Sequence, residues 1–427
     1  MKKKIKDNLI EIYLCLNILF VFINSFLFYS NTIKYEDFGK ELIYASFINL
    51  IVCLIIFIRR KFIKKKYKFN ILDIIVLLIL LFGLISVKYA LFSRYALEGL
   101  PRRYEGFYAI LYYFTLFYIS SFIKKKNKKY IAYTIIFTGV IQAIFGYLQI
   151  TQSGVVEVID NDGIIWAIGF TNNPNFFGSY MLLSLSFVLG LFINEKERTK
   201  EIIFGALVLI LTIGLLASNT LSCVVGLFVE LLILLIYCIK TKIVKKLIIP
   251  IIIIFSMFII LDKCNITTLT QDILKTKNET VEIAKGNVNE RYGTQRIAIW
   301  KGVLEIVPDN LIHGVGIDNL GLAYDGGPLI IGRKLVDKAH NELLQILVTE
   351  GIFCLLCYLA LYGIILFKGT IRTFKKKEIY LLLPVVGYIV QSMFNISVIE
   401  VAPIFYISLG LLIERWYKVK MLYYDCW

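Results

Sequence analysis

Histidine occurs only twice in the 427 residues, and charged residues make up only 18% of them. A water-soluble domain of this length needs far more polar surface, because much of its outside must face water. With 58% hydrophobic residues and a mean hydropathy of +0.73, soluble architectures are set aside. Paired cysteines are also missing: the eight are scattered, mostly within apolar runs, and suggest no disulfide framework. Cys354 and Cys357 form a CxxC on a hydrophobic stretch without a second pair, which reads as small core residues rather than a zinc knuckle. Internal repeats are not visible, and no metal or cofactor ligand set is expected.

What the chain does have is apolar runs close to 20 residues long, each enough to cross a bilayer as a helix. We place spans at 9–29, 40–58, 71–88, 104–123, 130–150, 173–193, 201–217, 219–239, 246–262, 341–367, 378–396 and 400–417. The expected fold is therefore all-α: a polytopic integral membrane protein of about twelve transmembrane helices with one large exterior loop. The first run follows basic residues but is long and lacks a small-residue cleavage site, so it reads as a retained helix. We treat 1–427 as a single membrane domain with the large loop at 263–340.

The net charge of +16 does not point to nucleic acid. Basic residues cluster between spans, at Lys2–Lys4, Arg59–Lys61, Lys64–Lys66, Lys124–Lys126 with Lys128 and Lys129, and Lys375–Lys377. That is the pattern of cytoplasmic loops beside an anionic leaflet, and it sets both termini inside. The segment 151–172 lacks Lys and Arg and carries Glu157, Asp160 and Asp162, whose spacing matches no calcium loop. The loop 263–340 is longer than a connection requires, and its stretch from Arg291 to Ile306 spaces Ile297, Trp300 and Leu304 along one helical face.

Both histidines, His313 and His340, fall in or at the end of this loop. Histidine suits proton transfer near neutral pH, though an interfacial histidine satisfied by hydrogen bonds has the same sequence signature. Arg291 and Arg296 lie near the start of the amphipathic stretch, and Arg102 with Arg103 precedes the fourth span on the outer side. Outward arginines oppose the positive-inside trend. A diphosphate would match the guanidinium fork, and headgroup anchoring is the alternative. Glu230, alone in mid-span, reads as lining a polar interior or paired. Asn172, Asn173, Pro174 and Asn175 read as a turn and helix start.

The run RYGTQRIAIWKGVLEIVPDNLIHGVGIDNL, followed by KAHNELLQILVTEGIF, resembles the shared domain of O-antigen ligases and bacterial polysaccharide polymerases. Arg296, Trp300, Pro308, Gly314, Gly316, His340, Asn341 and Gly351 match its motif in order, and we place this core at 290–367. EGLPRRYEGFYAIL, GFTNNPNFFGSYMLL and FNISVIEVAPIFYISLGLL are similar to its flanking features. The resemblance implies a metal-independent membrane glycosyltransferase without cofactor, in the bacterial cytoplasmic membrane. It implies an undecaprenyl-diphosphate-linked oligosaccharide donor and a glycan, lipid or protein acceptor. It further implies that His340 acts on the acceptor hydroxyl and Arg296 binds the diphosphate; Arg291, Arg102, Arg103 and Asn341 are candidates for further contacts with diphosphate or sugar. Many relatives carry a Ser-Arg pair where this chain reads ASNTLSCVVGL. A transporter or flippase of lipid-linked sugars is the rival reading. It predicts midplane polar clusters, broken helices and internal symmetry, whereas the unusual residues here gather on the outer side.

Overall fold

A computed structural model describes residues 8–63, 69–101, 103–151, 159–161, 164–322, 330–331 and 334–413. The apolar runs become helices: α1 (Leu9–Tyr29), α2 (Tyr35–Ile58), α3 (Ile71–Tyr89), the short α4 (Ser93–Glu98), α5 (Phe107–Ser120) and α6 (Lys128–Thr151). After a small hairpin, β1 (Ile159–Asn161) with β2 (Ile164–Trp166), come α7 (Pro174–Asn194), α8 (Arg198–Ala217), α9 (Leu221–Thr241) and α10 (Ile248–Lys263). The long connection that follows carries α11 (Leu269–Ala284), α12 (Arg296–Ile306) and the strands β3 (Ile330–Ile331) and β4 (Lys334–Leu335). The chain ends with α13 (Glu342–Glu350), α14 (Ile352–Lys376), α15 (Ile379–Ser392) and α16 (Ala402–Leu412).

The fold is all-α and polytopic. Among the described residues nine helices are long and apolar enough to cross a membrane. Three more apolar helices, α5, α15 and α16, have only 14, 14 and 11 residues. These three are buried along nearly their whole length, with α5 against α2 and α16, and α15 against α7 and α9. A helix enclosed by protein need not match the hydrocarbon thickness, since its ends are satisfied by neighbours rather than by lipid headgroups. Lys128 Nζ donates to the Leu411 carbonyl, and Arg372 Nη1 donates to that of Leu412 at 3.2 Å. Both cations thereby satisfy orphan carbonyls at the C-terminus of α16.

The expected span at 341–367 is broken. Gly351, at φ +87°, divides α13 from α14. A glycine inside an apolar run reads as a tolerated interior residue, but here the turn after α12 presses against it. A Cβ on Gly351 would lie 2.2 Å from the Ile312 carbonyl oxygen. The turn Gly314–Gly316 then serves the open end of α13: Val315 N donates to Val348 O at 2.9 Å and Gly316 N to Thr349 O at 3.1 Å. Ser86 Oγ adds a 2.6 Å bond to Thr349 O. The Gly-x-Gly motif is thus a helix cap supplied from elsewhere in the chain. Gly351→Ala is expected to lower stability by at least about 1–3 kcal/mol, the range for forced backbone strain, with the carbonyl clash adding to it. Unfolding of the detergent-purified variant by heat checks this; a melting temperature equal to the wild type contradicts it.

The sequence groups Arg291 with Arg296 on one amphipathic stretch, but the helix begins only at Arg296. Thr294 and Gln295 hold φ values of +58° and +70°, a left-handed pair that ends any helical run from Arg291. α12 packs on α13 through a small separate core of Val303, Ile306, Val315, Leu320, Val336 and Val348. The sixth-span start is as expected: Asn173 caps α7 by accepting from Asn175 N at 2.8 Å, with Pro174 in the first turn. Glu230 has a partner in Ser186 Oγ at 2.6 Å. The Glu157 and Asp162 side chains lie outside the described residues, as does that of Asp160.

Candidate functional site

The site is assembled where four connections meet at one end of the bundle: the residues before α5, the turn after α12, the entry to α13, and the α15–α16 loop. Asp318 fastens the first two, its Oδ2 accepting from Leu100 N at 2.6 Å. Glu342 fastens the last two, accepting from Ser397 N at 3.2 Å and Ser397 Oγ at 3.1 Å. Trp300 Nε1 donates to Ala339 O at 3.0 Å, and Gln345 Oε1 accepts from Ala339 N at 2.7 Å. Both backbone polar groups of Ala339, the residue before His340, are therefore held.

His340 itself adopts φ +51°. A bulky residue in the left-handed region stores strain that its surroundings must over-determine, and such positions cluster at functional sites. Burial pushes the imidazole pKa down to about 4, and the nearby Arg296 and Arg103 cations push in the same direction while Asp337 opposes them. At neutral pH the ring is uncharged and free to accept a proton.

Arg296 opens α12. Its Nη1 donates to Thr294 Oγ1 at 2.8 Å and Gly293 O at 3.3 Å, while its Nε is buried with no hydrogen-bond partner. Burial alone lowers its pKa. A half-buried guanidinium held, among the described residues, only by neutral oxygens keeps its capacity for an incoming anion. Arg103 is paired, its Nε 2.6 Å from Asp337 Oδ2, with both side chains about a quarter exposed. Burial disfavours both charges, but the pair outweighs it: Arg103 is raised and Asp337 is lowered from their ordinary values.

A second ion pair lies deeper. Lys338 Nζ is 2.8 Å from Asp318 Oδ1, with both side chains almost fully enclosed and the contact off the ideal hydrogen-bonding angle. Breaking such a pair by removing one partner costs about 3–5 kcal/mol. The pair borders a cavity of about 40 Å³ that Glu105, Glu342, Gln345 and Glu350 also line. That volume holds more than one water molecule. Tyr113 donates to Glu105, and Tyr35 donates to Glu400 Oε1 at 2.9 Å.

Of the residues singled out from sequence, the fold brings together His340, Arg296 and Arg103. Asn341 is the N-cap of α13, its Oδ1 accepting from Leu344 N at 3.0 Å. Arg291 stands exposed in the turn before α12. Arg102 lies outside the described residues. His313 stacks on Tyr89 at 4.6 Å and holds its Nδ1 2.6 Å from Gly314 O, so it belongs to the capping turn. The sequence reading missed Asp337, Lys338, Asp318 and Glu342. Their one sequence signal is position: they flank His340 and follow the Gly-x-Gly turn within two residues. At the departure from the Ser-Arg pattern, Asn219 donates to Thr268 Oγ1 at 2.6 Å and accepts from Thr268 N at 3.0 Å, joining that turn to the start of α11.

Fold and site together define a multi-pass membrane protein with a half-buried histidine near two arginines at one end of its bundle. Residues 206–359 match the family model for O-antigen ligase, in line with the resemblance that the motifs carry. The matched residues run from within α8 into α14 and contain Arg296, Trp300 and His340. No curated protein matches the chain.

Proposed function

We propose that this protein is a membrane glycosyltransferase of the ligase or polymerase type, moving an oligosaccharide from undecaprenyl diphosphate onto an acceptor hydroxyl at the outer face of the bacterial cytoplasmic membrane. One observation carries the reading: a strained histidine shares its surroundings with Arg103 and with Arg296, a half-buried arginine that has no acidic partner among the described residues. The donor diphosphate rests against Arg296 and Arg103. Its charge grows as the sugar departs, and preorganised cations stabilise that growth. His340 takes the proton of the acceptor hydroxyl as the oxygen attacks the anomeric carbon. The same arginines that depress the His340 pKa are neutralised by the diphosphate, so donor binding raises the basicity of the histidine when it is needed. Arg103 takes the part that the absent Ser-Arg pair leaves open.

A flippase reading asks for polar residues along a path through the bundle, whereas here the histidine, Arg296 and Arg103 gather at one end. Donor binding tests the proposal. Purified protein in nanodiscs is expected to retain a lipid-diphosphate saccharide in preference to the monophosphate form, and to lose that preference in the Arg296→Gln, Arg103→Gln double variant. Equal retention of both lipids by the wild type contradicts it. The orientation is tested separately. Val288, exposed in the long connection, is replaced as Val288→Cys and treated in intact cells with a membrane-impermeant maleimide. Labelling without permeabilisation is expected, and labelling only afterwards reverses the assignment.

A further inference from the structure

At the opposite end of the bundle, two basic clusters far apart in sequence meet around one cavity. Lys124, Lys125 and Lys126, just before α6, and Lys129 in its first turn face Lys376 and Lys377 at the end of α14 across about 580 Å³. The end of α7 and the start of α15 complete the wall through Gly190, Leu191, Asn194 and Tyr380. Two carboxylates border the cavity, and both are engaged. Glu378 accepts from Arg372 Nη2 at 2.8 Å and has Lys125 Nζ 3.6 Å away, and Glu195 accepts from the backbone N–H groups of Lys196 and Glu197. The positive-inside pattern accounts for lysines in each loop, but not for their convergence. Six lysines against two carboxylates leave the lining net positive, and a bound polyanion offsets the remaining repulsion.

We propose that this cavity binds the phosphate headgroup of an anionic membrane phospholipid. A membrane lipid rather than a free phosphate is favoured by the surfaces beside it. Tyr130, directly after Lys129 on α6, and Ile371, five residues before Lys376 on α14, are 57% and 44% exposed, apolar surface suited to contact with lipid. Lipid-headgroup recognition by basic pockets between transmembrane helices follows the same physics. Lys128 is not part of the site, because it is fully buried and caps α16. The site is separate from the histidine and arginines of the proposed reaction, so its test stands apart from theirs.

The experiment titrates phosphatidylglycerol into the full-length protein in neutral detergent and follows thermal unfolding, with phosphatidylcholine and inorganic phosphate in parallel. The wild type is expected to be stabilised by phosphatidylglycerol alone. A combined Lys124→Gln, Lys126→Gln, Lys129→Gln, Lys377→Gln variant, which spares Lys125 and Lys128, is expected to need at least about tenfold more lipid. The matching set of Lys→Arg replacements is expected to keep the wild-type response, which separates lost charge from a damaged fold. Equal phosphatidylglycerol responses in the wild type and the glutamine variant overturn the proposal. So does equal stabilisation by phosphatidylcholine, and saturation by inorganic phosphate overturns the assignment to a lipid.

Discussion

His340→Ala is expected to lower the transfer rate by about a hundred- to ten-thousand-fold, the usual contribution of a positioned base. The residue that carries this effect is held from both sides. Trp300 and Gln345 hold the backbone C=O and N–H of Ala339, and Asn341 anchors the first turn of α13 directly after His340. Alanine in place of histidine leaves those bonds intact, so the fold and donor binding should survive. His313→Ala removes a ring stacked on Tyr89 and should lower stability more than rate. The measurement is transfer rate per correctly folded molecule, with donor binding followed in the same samples. Near-native transfer by His340→Ala would remove the histidine from the chemistry.

Arg296→Ala is expected to reduce transfer by at least about a hundredfold, the scale for losing one preorganised contact to developing negative charge. Lysine should restore only part of it, since it keeps the charge without the fork. The pH profile supplies a second readout. With burial and both arginines holding the His340 pKa near 4, kcat/KM should be level through neutrality and fall only as the pH approaches that value. Removing the Arg296 charge weakens one of the depressing influences, so in Arg296→Gln the acidic limb should move to higher pH. It should stop short of the ordinary histidine value, because burial, the largest influence, remains. An unmoved limb would place Arg296 too far from the imidazole to matter.

The helices are legible in the sequence because crossing a bilayer demands long apolar runs, and composition alone reveals those. The break at Gly351 is not legible, since its cause is the Ile312 carbonyl arriving from a turn nearly forty residues earlier. His340, Arg296 and Arg103 stand out because a proton-transfer group and outward cations are rare in such a chain. Asp337, Lys338 and Asp318 do not, because an ionisable residue in a loop reads as solvated. Only the folding of the Gly-x-Gly turn beneath the residues before α5 encloses them. Arg291 shows the opposite error. Helical spacing links it to Arg296 until Thr294 and Gln295 turn left-handed, which periodicity cannot register. The lack of an arginine after α8 is plain in the sequence, but the position of Arg103 beside Asp337 and near His340, on which its proposed role rests, is not.

The most direct test of the account is transfer by the purified protein from a lipid-diphosphate-linked oligosaccharide to an added acceptor, with wild type and His340→Ala run side by side and with or without a chelator. The account predicts a glycosylated acceptor and released lipid diphosphate from the wild type, unchanged by the chelator, and neither product from the variant despite its binding the donor. Movement of the intact donor between leaflets without product, equal in both proteins, would contradict it and make the protein a transporter.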